Sequence, residues 1–240
     1  MQWDGTHVVV VGGSSGIGFG VARAALAAGA RVTIVGRSEE HLASATRALG
    51  DGGRVQGVAA DIGREADVAR LFEAIGAVDH LISTAVSATY QPIGELEMTG
   101  AQDVIDSKLV GSLLLAKHGA PRIRPGGSIT FTSGIAAYRP GPGGSVVAAV
   151  NGALAALGRA LAIELAPIRV NVVSPGWVDT PIWDSLAGDR KSAVLDAMAE
   201  RLPVRRIATA DDLAGAFLFL MQSPHTTGTV LHVDGGQRLV

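Results

Sequence analysis

The chain alternates between two hydrophobic patterns along its whole length. Short runs rich in β-branched residues, typical of buried strands, are separated by Ala- and Leu-rich stretches with helical spacing. The predicted strands are His7–Val11, Arg31–Val35, Arg54–Ala60, Val78–Ser83, Ser128–Thr132, Arg169–Val173 and Thr229–Val233. The predicted helices are Ile17–Ala28, Glu39–Leu49, Glu65–Ile75, Thr99–His118, Val146–Leu165 and Asp211–Met221.

This strict alternation predicts an α/β fold, with a mostly parallel sheet covered by helices on both faces. No change of composition marks a linker, so we expect residues 1–240 to form one doubly wound domain of about seven strands. The segments Pro140–Gly144 and Trp177–Ala187 have no regular period, and we expect a loop and an irregular stretch there.

Charge and composition narrow the choice of partners. The formal net charge is −2 with both signs interspersed, so nothing favours nucleic acid, and a small molecule is the expected ligand. Cysteine is absent and the histidines are not paired at metal-ligand spacing, so we expect no metal. The N-terminus has no basic signal region, and Gly, Arg, Asn or Glu interrupt the apolar stretches, which predicts a soluble cytoplasmic protein with no membrane partner.

The first predicted strand runs into a turn dense in glycine. Gly12 permits the tight turn, Gly16 lets backbone N–H groups approach a pyrophosphate, and Gly18 allows close packing of helix on strand. We predict a dinucleotide site here, and the alternative is an ordinary glycine-rich βα loop. Its predicted contacts are Gly12, Ser14, Ser15, Gly16, Ile17 and Gly18.

The second predicted strand ends in Val35-Gly36-Arg37-Ser38, where an acidic residue would pair with the ribose hydroxyls of NAD. Arg37 and Ser38 supply a guanidinium and a hydroxyl instead, which favours the 2′-phosphate of NADP over NAD. The alternative is a solvated arginine at the start of a helix.

Over nearly its whole length the chain resembles the short-chain dehydrogenase/reductase family, which implies a Rossmann-like fold. The resemblance rests on the glycine turn, on Asp61-Ile62, on Pro175–Thr180, on Thr227-Gly228 and on Val233–Gly236. It implies a substrate lid at about residues 177–205. It also implies further cofactor contacts at Asp61, Ile62, Thr84, Ala85, Pro175, Gly176, Val178 and Thr180.

The resemblance fails at the positions that carry the family's chemistry. In the family, a Tyr-x-x-x-Lys pair, a Ser about thirteen residues earlier and an Asn on the preceding helix transfer the proton. Here Val147 and Asn151 stand at the tyrosine and lysine positions, Gly134 stands at the serine position beside Ser133, and Lys108 stands at the asparagine position. Valine cannot exchange a proton, so an unchanged family mechanism is excluded.

Other groups can replace the missing ones. Lys108 and Asn151 look like an exchange of the family's Asn and Lys between neighbouring helices, and a desolvated Lys108 would have a lowered pKa. The alternative is a lysine whose stem packs on a neighbour while its ammonium reaches water. Ser133 and Tyr138 complete the candidate catalytic set, and Tyr90 lies on a loop at the same sheet edge. His118 ends a predicted helix, where histidine more often complements the helix dipole.

Three functions remain open at this stage. The first is an NADP(H)-dependent oxidoreductase acting on a small carbonyl compound or alcohol. The second is a catalytically silent protein that binds NADP as a sensor or partner subunit, and the third is a non-redox enzyme on the same fold. The small residues of the helix Val146–Leu165 suit close helix packing, and related enzymes associate through this helix, so we expect a homo-oligomer, a dimer or tetramer.

Overall fold

The computed structural model describes residues 3–50 and 52–240, which form a seven-stranded sheet in the order β3-β2-β1-β4-β5-β6-β7. Every neighbouring pair of strands is parallel. The doubly wound α/β fold predicted from the alternating pattern is therefore confirmed. The strands are β1 His7–Val11, β2 Arg31–Gly36, β3 Val55–Ala59, β4 Val78–Ser83, β5 Ile123–Thr132, β6 Arg169–Pro175 and β7 Val230–Val233.

Each face of the sheet carries one hydrophobic cluster. Val8 and Val10 of β1 pack into the cluster beneath helices α1 and α9, whereas Val9 and Val11 pack into the cluster on the other face. Both faces of β1 are buried, which is why it reads as an unbroken apolar run rather than an alternating one. The helices are α1 Gly16–Ala27, α2 Glu39–Leu49, α3 Glu65–Ile75, α4 Met98–Ile105, α5 Gly111–Gly119, α6 Ser145–Glu164, α7 Ile182–Ala187, α8 Lys191–Ala199 and α9 Ala210–Gln222.

The prediction of a single α-helix over Thr99–His118 is wrong in one respect. A π-helical turn, Asp106–Val110, separates α4 from α5. A π turn accommodates an extra residue, and such turns often occur at functional sites. Hydrophobic periodicity cannot detect a single inserted residue inside a helical stretch, so the sequence pattern reads as continuous.

The segment Trp177–Ala187 is more regular than its pattern predicted. Its second half forms α7, and α8 follows at Lys191. Lys191 holds the two helices to the preceding loop through ion pairs with Asp179 (2.9 Å) and Asp184 (3.1 Å). A helix of six residues is too short to show a period of 3.6, which explains why the sequence did not reveal it.

Helix α6 contains Asn151, Arg159 and Glu164, yet it is apolar on average. Among the described residues it is the one helix long and apolar enough, by length and composition, to cross a membrane. The core helix of a globular fold passes the same test, and α6 buries Val147, Asn151, Leu154 and Leu161 against the body of the protein.

The order of the strands determines where a ligand can bind. The chain winds outward in one direction from β1 through β2 to β3, and in the other from β4 to β7. The connections on the two sides diverge between β1 and β4, which opens a crevice at the carboxyl ends of these strands. The glycine turn after β1 and the loop after β4 therefore face the same crevice.

Candidate active site

A cavity of about 1200 Å³ lies at the carboxyl ends of the strands. Typical pockets for one small ligand measure roughly 300–1000 Å³, so this cavity can hold a dinucleotide together with a second molecule. It extends from the glycine turn to α7, and all the predicted cofactor and catalytic residues line it.

The turn after β1 leaves no room for side chains at two of its glycines. A Cβ atom on Gly18 would lie 2.2 Å from the carbonyl oxygen of Gly12, and one on Gly12 would lie 2.8 Å from Thr84 Oγ1. The hydroxyl of Thr84 donates to the carbonyl oxygen of Val11 at 3.0 Å, which joins the end of β4 to this turn. The backbone is thus brought as close to the crevice as sterics allow.

Helix α1 begins at Gly16, and its first three residues, Gly16, Ile17 and Gly18, line the cavity. The preceding residue, Ser15, makes no side-chain capping bond to the helix. Uncapped N–H groups and the helix dipole together form an anion site, as a pyrophosphate requires. Thr180 closes this site from the opposite side, because a Cβ on Gly16 would lie 3.3 Å from the Thr180 side chain.

The two residues after β2, Arg37 and Ser38, have different roles. The hydroxyl of Ser38 accepts a hydrogen bond from the backbone N–H of His41 at 3.2 Å and thereby caps α2. Arg37 is exposed on the rim of the cavity and makes no hydrogen bond or ion pair within residues 3–50 and 52–240. Its guanidinium is therefore available to an anionic ligand, whereas the Ser38 hydroxyl is already engaged.

Two further segments complete this end of the cavity. Ile62 is buried and packs against Gly111, where a Cβ would lie 2.7 Å from Ile62 Cδ1. Asp61 accepts a hydrogen bond from the backbone N–H of Gly63 at 3.0 Å, so its carboxylate orients its own loop. Ala85 lines the cavity directly after Thr84.

Lys108 is the charged group at the centre of the cavity wall. The π turn carries it, its side chain is only 6% exposed, and its Nζ donates to Asn151 Oδ1 (2.5 Å) and to the carbonyl oxygen of Ser133 (3.1 Å). Burial lowers the pKa of Lys108 to about 8, because the neutral amine tolerates desolvation better than the ammonium. Both partners are uncharged oxygen acceptors, so neither cancels the charge.

Ser133, Gly134, Val147 and Asn151 line the same part of the cavity as Lys108. The hydroxyl of Ser133 donates to the backbone carbonyl of Asn151 at 2.8 Å, which ties the end of β5 to α6. A Cβ on Gly134 would lie 3.0 Å from Asn151 Nδ2, so glycine at this position makes room for the amide. Val147 is buried one turn earlier on α6 and also lines the cavity.

The tyrosines and histidines considered from the sequence fall into different environments. Tyr90 and Tyr138 line the cavity, and burial raises the pKa of the Tyr90 phenol. The ring of Tyr138 meets His232 edge-on, with centroids 4.7 Å apart. His118 lies outside the cavity lining and pairs with Glu65 Oε1 at 2.9 Å, consistent with a structural role at the end of α5.

The segment after β6 is held by the C-terminal part of the chain. The backbone N–H of Trp177 donates to Gln237 Oε1 at 3.0 Å, and a Cβ on Gly176 would lie 2.8 Å from the Cα of Asp234. Pro175, Gly176 and Val178 thereby reach the cavity wall. Sequence reasoning missed Gln237, because no local pattern connects it to a loop sixty residues earlier.

Comparisons with known proteins show similarity to one protein family over most of the chain. The model of the protein family described as enoyl-(acyl carrier protein) reductase matches residues 11–238. Short-chain dehydrogenase/reductase ucsE from Acremonium sp is 34% identical over 249 residues, which cover 95% of this chain and 94% of that protein.

Solved structures agree over the full length of the chain. A small-chain dehydrogenase in complex with NADPH has 37% identity and a TM-score of 0.83, covering 98% of this chain and 99% of that one. The MalC reductase/Diels-Alderase from Malbranchea aurantiaca has 32% identity and a TM-score of 0.92, covering 99% and 98%. The similarity therefore includes every element that lines the cavity.

Proposed function

The chain belongs to the short-chain dehydrogenase/reductase family, and from this premise we propose that it is an NADP(H)-dependent oxidoreductase. It interconverts a small carbonyl compound and the corresponding alcohol, with Lys108 acting where the family uses tyrosine and lysine. The observation that carries the proposal is the buried ammonium of Lys108 in the wall of a cavity large enough for cofactor and substrate.

The residues at the glycine turn fit NADP. A pyrophosphate fits the backbone at Gly12 and Gly18, which carries no side chains, and the uncapped start of α1. The exposed guanidinium of Arg37 suits a 2′-phosphate. Ile62 and Ala85 supply apolar surface for the adenine, and Val178 and Thr180 supply contacts for the nicotinamide. The similar small-chain dehydrogenase that was solved with NADPH supports this choice. When bound, the reduced cofactor supplies the hydride for the carbonyl carbon.

Lys108 supplies the proton. An ammonium has three N–H donors, and Asn151 and Ser133 accept two of them, which leaves one for a substrate oxygen. That donor stabilises the negative charge that develops on the carbonyl oxygen and then transfers its proton to form the alcohol. A pKa of about 8 suits an acid that works near neutral pH.

Asn151 and Ser133 act through Lys108. The Asn151 amide oxygen and the Ser133 carbonyl fix the direction of the ammonium, and the Ser133 hydroxyl fixes the backbone of Asn151. Val147 excludes water from the same wall. We therefore assign proton transfer to Lys108, positioning to Asn151 and Ser133, and substrate contact to Tyr138 and Tyr90. The segment 177–205 is the substrate lid.

The test combines cofactor binding with turnover. Titration with NADPH and NADH, followed by nicotinamide fluorescence, should show tighter binding of NADPH, and a panel of carbonyl compounds should reveal NADPH oxidation. Lys108→Met should lower kcat at least about 100-fold, the effect typical of losing a transition-state donor, with NADPH binding unchanged within about threefold. Lys117→Met is the matched control, because Lys117 lies on the adjacent helix and pairs with Glu65 outside the cavity. Unchanged turnover in Lys108→Met would refute the role of Lys108.

The valine at the tyrosine position supports a second candidate, cofactor binding without hydride transfer. This candidate includes a silent protein and a non-redox enzyme, and the name of the similar MalC reductase/Diels-Alderase indicates that one relative combines reduction with another reaction. Mass spectrometry of products separates the candidates. Reduction adds two hydrogen atoms to the substrate, a non-redox isomerisation leaves its mass unchanged, and a silent protein yields no product.

We also propose that the protein is a homo-oligomer, a dimer or tetramer, formed through α6. The outward face of α6 carries Ala149, Gly152 and Ala156, and Ile163 there is 82% exposed. Small residues permit close approach of a second helix, and an exposed isoleucine gains from being covered. The mass in solution, measured by light scattering, tests this, and a monomeric mass contradicts it.

A further inference from the structure

The tryptophans and tyrosines of this chain, unlike its five phenylalanines, are concentrated in one half of the cavity. The sequence contains three Trp and two Tyr, and Trp177, Trp183, Tyr90 and Tyr138 all line the cavity. The remaining one, Trp3, is buried elsewhere against His80 near the start of β4, with ring centroids 5.7 Å apart. Such a concentration is not needed for the fold, because the two core clusters are built mainly from aliphatic side chains.

These four residues come from separate parts of the chain. Tyr90 follows β4, Tyr138 follows β5, Trp177 follows β6, and Trp183 belongs to α7. The ring centroids of Trp177 and Trp183 lie 4.5 Å apart, and the ring planes are tilted by 52°. The indole N–H of Trp183 donates to the carbonyl oxygen of Val178 at 2.9 Å. The hydrogen bond and the ring contact hold the indoles in defined orientations, so they form a preorganised surface.

The remaining lining of this half combines apolar and polar side chains. The apolar ones are Val86, Ile135, Val147, Ile182, Leu186 and Met198, and the polar ones include Ser87, Ser107, Ser133, Asn151 and Gln237. The lid residues Asp179 and Asp184 both pair with Lys191, and none of the three lines the cavity. The arginines of the wall are Arg139, which donates to the carbonyl oxygen of Val240, and the exposed Arg201. A sugar-like substrate needs many convergent hydrogen-bonding groups. In this half the hydroxyls of Ser107 and Ser133 already donate to backbone carbonyls, and the amide oxygens of Asn151 and Gln237 already accept from Lys108 and Trp177.

From this arrangement we propose that the substrate is a ketone or aldehyde attached to a fused aromatic ring system. The ring system contacts the indoles and phenols, for which planar aromatic partners are favourable at offset or edge-to-face geometry. Val147 is smaller than a tyrosine and leaves space for a rigid ring next to Lys108. Only the position of the carbonyl oxygen on Lys108 rests on the proposed function; recognition of the rings is independent of it.

Equilibrium binding tests the ring recognition without requiring turnover. Protein saturated with NADP⁺ is titrated with 2-acetylnaphthalene, with 2-undecanone and with L-sorbose, and binding is followed by calorimetry. 2-Undecanone presents apolar surface without rings, so it separates aromatic recognition from simple hydrophobicity. We expect 2-acetylnaphthalene to bind at least about tenfold more tightly than 2-undecanone, and L-sorbose not to bind. Equal affinities for the two ketones, or preferred binding of the sugar, would overturn the proposal.

Variants of the indole pair sharpen the test. Trp183→Leu should weaken binding of 2-acetylnaphthalene about tenfold while changing 2-undecanone less than about threefold, and Trp183→Phe should recover most of the loss. Phe219→Leu is the control, because Phe219 is an exposed ring on α9 outside the cavity. NADPH binding by each variant reports whether it is folded. An equal loss for both ketones in Trp183→Leu would contradict aromatic recognition.

The reaction is then examined separately. Selective binding of 2-acetylnaphthalene without NADPH oxidation would leave the substrate class standing and refute the proposed reduction. Oxidation of NADPH with aliphatic or sugar ketones alone would support the proposed reduction and refute the substrate class.

Discussion

The two halves of the cavity differ in what lines them. We call the part at the glycine turn after β1 the cofactor half, and the part around Lys108 the catalytic half. The cofactor half consists largely of backbone, with Gly12 and Gly18 at positions where a side chain collides with neighbouring atoms and Gly16 at a positive φ of 54°. The catalytic half consists of side chains, and there the ammonium of Lys108 donates to the amide oxygen of Asn151. The contrast has a steric origin. Backbone that must approach a ligand tolerates only glycine, whereas an ammonium can enter one space from either of two adjacent helices.

The contact between Lys108 and Asn151 is the observation behind the proposed exchange of the family's Asn and Lys. The amide oxygen accepts from the ammonium across the gap between the π turn and α6, and so joins the two elements. Gly134 leaves room for the amide. We expect mutations in the cofactor half to abolish binding and mutations in the catalytic half to change rates and pH dependence.

The largest effect should come from Gly18→Ala. Its Cβ would lie 2.2 Å from a backbone oxygen, so the turn must move and NADPH affinity should fall more than about 100-fold. Fluorescence titration measures this. Gly215→Ala is the control, since a Cβ there meets nothing within 4 Å on an exposed face of α9. Unchanged affinity in Gly18→Ala would show that the turn is not the pyrophosphate site.

Arg37→Ala should have the next largest effect. Loss of charge-assisted hydrogen bonds to a 2′-phosphate amounts to about 1.5–3 kcal/mol, or about 10- to 100-fold in the Kd of NADPH. The Kd of NADH should not change, because NADH lacks this phosphate. Arg47→Ala, on the exposed part of α2, serves as the control. Parallel losses for both cofactors would mean that Arg37 does not read the phosphate.

A moderate effect is expected from Gly134→Ser, which introduces the residue type that we predict for this position in the family. The new Cβ would lie 3.0 Å from Asn151 Nδ2, so the amide shifts and Lys108 loses its fixed direction. We expect kcat/KM to fall about tenfold with NADPH affinity unchanged. Gly141→Ser, at an open position of the same cavity, should be neutral. A rise in activity would contradict the positioning role of Asn151.

The smallest effect is a displaced pH profile. Burial lowers the pKa of Lys108 to about 8, so the ammonium is lost, and carbonyl reduction declines, as the pH rises through about 8. The carboxylate introduced by Asn151→Asp favours the ammonium and should move this alkaline limb upward by about one unit or more. Measurements of kcat/KM between pH 6 and 10 test the shift. If the alkaline limb does not move in Asn151→Asp, it reports the titration of a group other than Lys108.

The sequence by itself determined the architecture and the location of the cofactor half. Buried strands and amphipathic helices appear as local periodicities, and the glycine turn is a local steric requirement, so both can be read along the chain. The apolar run of β1 and the residues Gly12 to Gly18 illustrate this, and so does Arg37 at the end of β2.

Only the tertiary structure decided how the catalytic half is assembled. The π turn that carries Lys108, the acceptors on Asn151 and Ser133, and the support of Trp177 by Gln237 join residues separated by 25 to 60 positions. Such contacts leave no periodic trace, because each depends on how independent elements pack against one another. The same holds for the pKa of Lys108, which burial lowers and no spacing in the chain reveals.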